Sequence, residues 1–405
     1  FGSTERAAAG EIPNALQYVE QAVSIARTQL VGEAKSQSRL FTAIGRAYTA
    51  LGQYPRAIDI LEEALTLRRG AFGGDSLEVA DTLEALGDAR YQYGRYDEAE
   101  TNFRTALAVR SVREGRRTPA ALAASIGLGD VLHARGQFEA AETILRDTLA
   151  MLRSGSGESL APSVSGLLPR ALLGLANVLR DRGVLGESFT LYGQGIELLR
   201  SAGQDRALQV AVAQADFARL LILRSDLERA EFELAQAIST FRRQAPQHLA
   251  LGAALRDQAW LRMEQGRLSD AQVLLGEAEQ LHQQLLGGVN PSVPRIRAVQ
   301  AELARRRGDL PQAVAVATEA LEGLERLNMV DHPATVDIRT TLAQSLLEQG
   351  EFRQAARILG HALTVAERAY VSYDPRIARL QNALRTAAGN RTTRAVRTAL
   401  TGSTP

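Results

Sequence analysis

The sequence has no cysteine, three methionines, one tryptophan and, among 47 basic residues, a single lysine, Lys35. Without cysteine there are no disulfides, iron–sulfur clusters or thiolate-ligated zinc. Aromatic residues are only 5% of the chain, so a core has to be assembled from Leu, Ala, Val and Ile. The preference for arginine over lysine follows genome base composition as readily as function. Charge of one sign is also lacking: 47 basic against 46 acidic residues leave a net +1, without the basic excess on which bulk nucleic-acid binding rests. No apolar run reaches the roughly 18 residues of a bilayer-spanning helix, so no membrane insertion is expected; the stretch around Leu220–Leu223 is among the longest. No charged n-region followed by an apolar h-region opens the chain. The start on Phe1 reads as a processed or excised product, an exported chain with its signal removed or a cytosolic fragment. On that reading export is favoured over the cytoplasm, and the compartment is otherwise open.

The vocabulary of catalysis is missing too. There is no GxxxxGK[ST] loop and no GxSxG elbow, and the GSG at 155–157 precedes no strand of the kind a dinucleotide fold requires. The five histidines, His133, His248, His282, His332 and His361, form no HExxH or comparable pair. Adjacent acids such as Glu62-Glu63 and Asp97-Glu98 read as exposed helix charge. The sequence therefore predicts no enzymatic activity, no cofactor and no metal. Asn390-Arg391-Thr392 matches a glycosylation sequon, relevant only in a glycosylating compartment.

What is present is repetition. Gly52, Gly94, Gly136, Gly183, Ser225, Gly266, Gly308 and Gly350 are spaced by 42, 42, 47, 42, 41, 42 and 42 residues. Five residues after each stands a small residue: Ala57, Ala99, Ala141, Ser188, Ala230, Ala271, Ala313 and Ala355. Twelve after come Ala64, Ala106, Thr148, Gly195, Ala237, Ala278, Ala320 and Ala362, and seven before come Gly45, Gly87, Gly129, Ala176, Ala218, Ala259, Ala301 and Ala343. Segments such as 50–65 carry apolar residues at helical spacing. The recurrent Gly falls where a helix ends and a left-handed residue caps it. Pro13, Pro55 and Pro311 share the first turn of the next helix. The small residues let two antiparallel helices approach closely, and Leu61, Phe103, Leu145, Tyr192, Leu234, Leu275 and Leu359 fill the space between pairs. Asp75-Ser76, Asn290-Pro291, His332-Pro333 and Asp374-Pro375 mark helix starts, which makes His332 a turn residue. Where Ser225 replaces the capping Gly, the helix is expected to end differently, because left-handed backbone costs a non-glycine residue about 1–2 kcal/mol.

These offsets resemble the tetratricopeptide repeat, and the 42-residue period with its Asp/His-Pro turn is similar to the kinesin-light-chain-like subclass, with bacterial signalling and scaffold arrays as the type. The resemblance covers about residues 10–388. It implies an all-α, right-handed superhelical solenoid of antiparallel helix pairs. The organisation expected is a partial unit at 1–27 with only its second helix, eight units over 38–370 with a loop insertion at 153–166, and a C-terminal helix plus basic tail at 374–405. The family implies a non-catalytic scaffold that binds a protein or peptide partner. Its first helices line a concave wall, here acidic early (Asp81, Glu84, Asp88, Asp130) and basic later (Arg170, Arg180, Arg219, Arg256, Arg295, Arg305), with Asn177, Trp260 and Met263 among the basic part. Arginine forks facing a groove suit an acidic peptide. Opposing that, Glu302–Arg305 and Glu302–Arg306 stand three and four apart, as in a solvated helix face that satisfies itself.

Neither end carries an obvious polar cap. The alternative expectation is therefore a structural protein stacking head to tail into a filament. Ala15, Tyr18 and Ala22 at one end, and Ile377, Leu380, Leu384, Arg391, Arg394 and Arg397 at the other, are the candidate contacts. Arg385, in a slot held elsewhere by Gly or Ala, counts against it. Six arginines and no acid follow Asp374, a basic end suited to phosphate, an anionic surface or an acidic neighbour.

Overall fold

A computed structural model describes residues 12–154, 166–203, 206–287 and 290–401, with side chains omitted at 12–14 and 390–401. Among the described residues there are eighteen α-helices and no strand. In chain order they are α1 (Ile12–Gln29), α2 (Ala34–Ala50), α3 (Tyr54–Phe72), α4 (Leu77–Tyr93), α5 (Tyr96–Arg113), α6 (Pro119–Ala134), α7 (Phe138–Ser154), α8 (Leu167–Arg182) and α9 (Leu185–Ser201). There follow α10 (Ala207–Leu223), α11 (Leu227–Gln244), α12 (Leu249–Glu264), α13 (Leu268–Leu286), α14 (Ser292–Arg306), α15 (Leu310–Glu325), α16 (Ala334–Glu348), α17 (Phe352–Ala369) and α18 (Pro375–Thr401). They form two compact units: Phe1–Arg180 with Leu185–Leu251, and Asp181–Val184 with Gly252–Pro405. The insertion expected at 153–166 falls largely at 155–165, outside the described residues.

Within each unit, helices pack pairwise in antiparallel stacks, and the small-residue slots are where they touch. Ala57, Ala64, Ala99, Ala106, Ala141, Ala230, Ala237, Ala313, Ala355 and Ala362 are completely buried. A Cβ on Gly45 would collide with Leu61; on Gly87 it would stand 2.9 Å from Phe103, and on Gly129 2.6 Å from Leu145. One helix thus offers a bare backbone strip and its partner a bulky side chain, giving close approach without overpacking. Leu61, Phe103, Leu145, Tyr192, Leu234, Leu275 and Leu359 are all buried, as their spacing predicts.

The turns follow from capping chemistry. Gly52, Gly94, Gly136, Gly266, Gly308 and Gly350 hold φ between 71° and 88°. Ser225 corrects one expectation: it adopts φ 62°, and the amide after it bonds back to Leu221 O at 2.9 Å, as Gln53 N bonds to Tyr48 O at 2.9 Å. That helix ends as its neighbours do, with a serine in glycine's conformation. At helix starts, the Asn290 carboxamide oxygen accepts from Ser292 N, His332 Nδ1 accepts from Ala334 N, and Asp374 Oδ1 accepts from Arg376 N. His248, one period earlier, accepts from Ala250 N in the same way at 3.1 Å. His332 is therefore a buried cap, as its position predicts.

In the second unit, Asp374 is buried and its carboxylate lies against Gly183, which has no Cβ to obstruct it. Arg376 binds Asp374 Oδ2 at 2.7 Å, donates to Asp181 O at 2.9 Å, and stacks 3.6 Å from the Tyr370 ring centroid. Arg376 is thereby withdrawn from the basic end. α18 continues through the remaining basic stretch to Thr401. Thr392 stands one period after Gly350, and no turn occurs there.

Candidate partner-binding wall

The residue following each small slot of the even-numbered helices forms a column in the first unit: Arg46, Asp88, Asp130, Asn177 and Arg219. Contacts between successive even-numbered helices make it a continuous wall. Arg46 of α2 binds Asp81 of α4 at 2.7 Å, and Arg170 of α8 faces Asp130 of α6 at 3.8 Å. Arg68 reaches Asp81 from α3 at 2.8 Å, and Arg110 of α5 pairs with Glu84. The early acids Asp81 and Glu84 are thus already matched by arginines.

Among the described residues Asp88 has no such partner, and Asp130 has only the looser approach of Arg170 at 3.8 Å. Asp130 is 29% exposed. Among the described residues no donor bonds its carboxylate, and Gly174 supplies the room for it, a Cβ there standing 3.0 Å from Oδ1. Loss of water inside the crowded wall pushes its pKa up to about 6; Arg170 and His133 oppose the shift, whereas the charges of Asp88 and Asp216 add to it. Asp88 meets solvent, yet desolvation by the surrounding wall also raises its pKa, against Arg170 and Arg46. A carboxylate kept where ionisation is unfavourable is a common mark of a working site.

Farther along the wall, Arg180 is 2% exposed. Its Nη1 donates to Asn177 Oδ1 at 2.8 Å, to the Tyr192 hydroxyl at 2.7 Å and to Asp216 O at 3.2 Å. The Tyr192 hydroxyl in turn donates to Asn177 Oδ1, and Asn177 Nδ2 reaches Asp216 Oδ2 at 3.4 Å. Arg180 and Asn177 therefore hold α8, α9 and α10 together and do not project as ligand-gripping groups. Arg170 remains 49% exposed, and Arg219 is half-buried with no bonded or ionic partner among the described residues. Asp216, 40% exposed, belongs to this site but has no place in the recurrent charge pattern. A signal was available: Gly127 and Gly174 hold the same slot in α6 and α8, where a Cβ would meet the Phe103 ring and the Asp130 carboxylate.

The second unit's arginines have partners of their own. Arg305 binds Glu302 and Glu348, both at 2.8 Å, and Arg306 binds Glu302 at 2.8 Å and Glu264 at 2.6 Å. Burial disfavours ionised Glu302, yet hydrogen bonds from Arg305 and Arg306 bring its pKa below the usual value. Arg306 also stacks 5.6 Å from the half-buried Trp260 ring, and Arg256 binds Asp257 at 2.7 Å. Met263 is buried, and Arg295 has a buried Nε with no hydrogen-bond partner among the described residues. A cleft of about 430 Å³ between α13, α14 and α15 is lined by Gln283, Asn290, Pro294, Arg297, Glu319 and Arg326. Arg297 there is already shared between Glu279 and Glu319, both at 3.3 Å.

Of the candidate end contacts, Ala15 and Ala22 are half-buried, Tyr18 is 72% exposed, Ile377 and Leu380 are buried, and Leu384 is half-buried. The side chains of Arg391, Arg394 and Arg397 lie outside the described residues. Among the described residues no three His, Asp or Glu are grouped to hold a metal, and no helix is long and apolar enough to cross a membrane.

The profile described as Tetratricopeptide repeat matches residues 2–70, 36–111, 78–154 and 292–368, together more than half of the sequence, and a second profile of that description matches 256–326. The chain belongs to the tetratricopeptide repeat family. Its spans leave out 155–255, where Ser188, Gly195 and Ser225 interrupt the pattern. The Rap conjugation gene regulator of the plasmid pLS20, solved in complex with the Phr* peptide, is similar at TM-score 0.59 and 11% identity, covering 91% of this chain and 98% of that one. The quorum sensor NprR from B. thuringiensis is similar at TM-score 0.53 and 13% identity, covering 88% and 98%. A kinesin light chain with nearly identical TPR-like repeats from Podosopora anserina is 20% identical with TM-score 0.39, covering 50% of this chain and 95% of that one. No curated protein matches.

Proposed function

We infer that this tetratricopeptide protein is a non-catalytic scaffold that holds an extended peptide or partner segment against the even-helix wall of its first unit. The observation that carries the reading is Asp130. It is desolvated beside Asp88 and Asp216 with only Arg170 facing it, at 3.8 Å, and no hydrogen-bond donor among the described residues, while Arg219 on the same column has no acidic partner among them. Groups of both signs are thus held ready to be satisfied by something else. A basic side chain or terminal amine placed at Asp88 and Asp130, and an acidic group at Arg219, would complete them. The acidic-partner expectation shifts accordingly: Arg256, Arg305 and Arg306 already pair with Asp257, Glu302, Glu264 and Glu348. The peptide held by the similar Rap regulator lends support to the ligand class.

The test is selection of peptides from a displayed random library on the purified chain, followed by affinity measurement. Selected sequences should combine a basic and an acidic position, lose about tenfold or more in affinity on Arg219→Ala, and change little on Arg305→Ala. Failure to select any peptide, or equal losses at both sites, would discard the reading.

A further inference from the structure

Polar pairs that recur with the period tie neighbouring repeats together along the odd-numbered helices and the turns that lead into them. Arg135, immediately before Gly136, binds Asp97 at 2.8 Å and also binds Glu100. Those acids stand three and six residues after Gly94, the capping position of the preceding repeat. Arg307 of the second unit, in the same slot as Arg135, donates to Gln272 Oε1 at 2.6 Å, again six residues after the preceding Gly. A second pairing joins the fourth residue after one capping position to the tenth after the one before. Arg56 binds Glu20 at 2.6 Å and, with the signs reversed, Glu187 binds Arg146 at 2.7 Å.

Arg224 and Arg229 hold these two slots around the α10–α11 turn, and neither meets its acid. The positions that correspond to Asp97 and Glu100 are Gly186 and Phe189, and the one that corresponds to Glu20 is Gly193. All three lie on α9 at spacings of three and four, hence on one side of that helix. A Cβ on Gly186 or Gly193 would meet nothing within 4 Å among the described residues, so the room for the missing side chains is open. Both arginines turn to aromatic rings instead. Arg224 Cζ stands 4.7 Å from the Phe189 centroid, and Arg229 Cζ stands 5.2 Å from the centroids of both Phe189 and Phe217, whose rings pack 5.4 Å apart. Both arginines are exposed. Among the described residues neither guanidinium has a hydrogen bond or an ion pair, although Asp226 and Glu228 are near in sequence. A guanidinium stacked on a ring is held in place with its N–H donors at its rim. Two cations thus share one aromatic floor with those donors unused, and a carboxylate between them would relieve their mutual repulsion.

We propose that this side of α9, with Arg224 and Arg229, docks acidic side chains of a partner protein. The partner supplies the carboxylates that Asp97, Glu100 and Glu20 supply elsewhere from within the chain. They enter the room left at Gly186 and Gly193 and take charge-assisted hydrogen bonds from the two guanidinium groups. The site shares no residue with the even-helix wall and does not rest on that reading.

Fluorescence anisotropy of a fluorescein-labelled hexaglutamate peptide on the full chain at low salt tests this. Arg224→Ala and Arg229→Ala should each weaken binding by about fivefold or more, and added salt should weaken it for the wild type. Gly193→Glu returns the acid to its slot and should weaken binding as much. Gly193→Gln, of equal size and without charge, should bind as the wild type does. Arg229→Lys keeps the charge but not the flat stack, and should fall between wild type and Arg229→Ala. Arg219→Ala, on the wall, should leave binding unchanged, and circular dichroism checks that each variant is folded. Absence of saturable binding, equal losses at Arg219 and Arg229, or Gly193→Gln as damaging as Gly193→Glu overturns the proposal. So does displacement of the peptide by inorganic phosphate at a lower concentration than by acetate, which would assign the two arginines to phosphate groups.

Discussion

Gly87 faces Phe103 so closely that a single added methyl would stand 2.9 Å from the ring. The same relation joins Gly129 to Leu145 across the next pair, and it is the unit from which the array is built. Gly87→Leu should therefore destabilise the chain by about 1–3 kcal/mol through overpacking. Phe103→Leu in that background should recover part of the loss. Gly360, inside α17 with nothing within 4 Å of its would-be Cβ, should behave oppositely: Gly360→Ala should stabilise by roughly 0.5–1 kcal/mol through helix propensity. Urea unfolding midpoints check both signs.

Ser225 performs a glycine's task at φ 62°. Ser225→Gly should stabilise by about 1 kcal/mol, the left-handed penalty less the extra chain entropy of glycine. The measured quantity is again the urea midpoint, with the slope unchanged.

Asp130 links stability to binding. Its folded pKa of about 6 lies above the ordinary 3.8, so between those values the native state holds more protons than the unfolded state. Stability from this group is lost as pH rises from about 4 to about 6. At 29% exposure, solvent screening limits the loss to about 1–2 kcal/mol. Asp130→Asn should thus be more stable than the wild type at neutral pH and nearly equal to it at pH ~4, while binding the selected peptide less well. A gain in stability with a loss of affinity is the expected signature of a group retained for its partner.

His282 in the second unit works in the other direction. Burial foremost, with Arg256 adding to it, lowers its pKa from 6.5 to about 4, and its Nδ1 has no hydrogen-bond partner among the described residues. The unfolded state takes up a proton first, so stability is lost as pH falls from about 6.5 to about 4, by up to about 3 kcal/mol. The two effects oppose each other over the same window, so the wild-type pH profile is flatter than either. His282→Leu should remove the acid-side loss, and Asp130→Asn the loss on the neutral side. Unfolding midpoints of both variants against pH check the separation.

The helix pairs were legible in the sequence because close packing restricts side-chain size once per turn of contact, and that restriction recurs with the period. The wall was legible only in part. Arg306–Glu264 lies 42 residues apart and Arg305–Glu348 lies 43 apart, so the period itself could have paired these arginines with acids on neighbouring helices. The bond set of Arg180 with Asn177, Tyr192 and Asp216 had no such trace. It joins three helices through residues that do not recur, in the region where the small slots themselves are least regular. Asp130 stood in the column from the start. What its charge costs depends on how much water the neighbouring helices displace, which no spacing records.

The most direct measurement is photocrosslinking of a selected peptide to chains carrying a photoreactive phenylalanine analogue at single positions. Positions 170 and 219 on the even-helix wall should capture the peptide. Positions 112, 232 and 273, where the odd-numbered helices expose Val112, Phe232 and Val273 at 85%, 59% and 71%, should not. Capture from those three positions, with none from 170 or 219, would contradict the account.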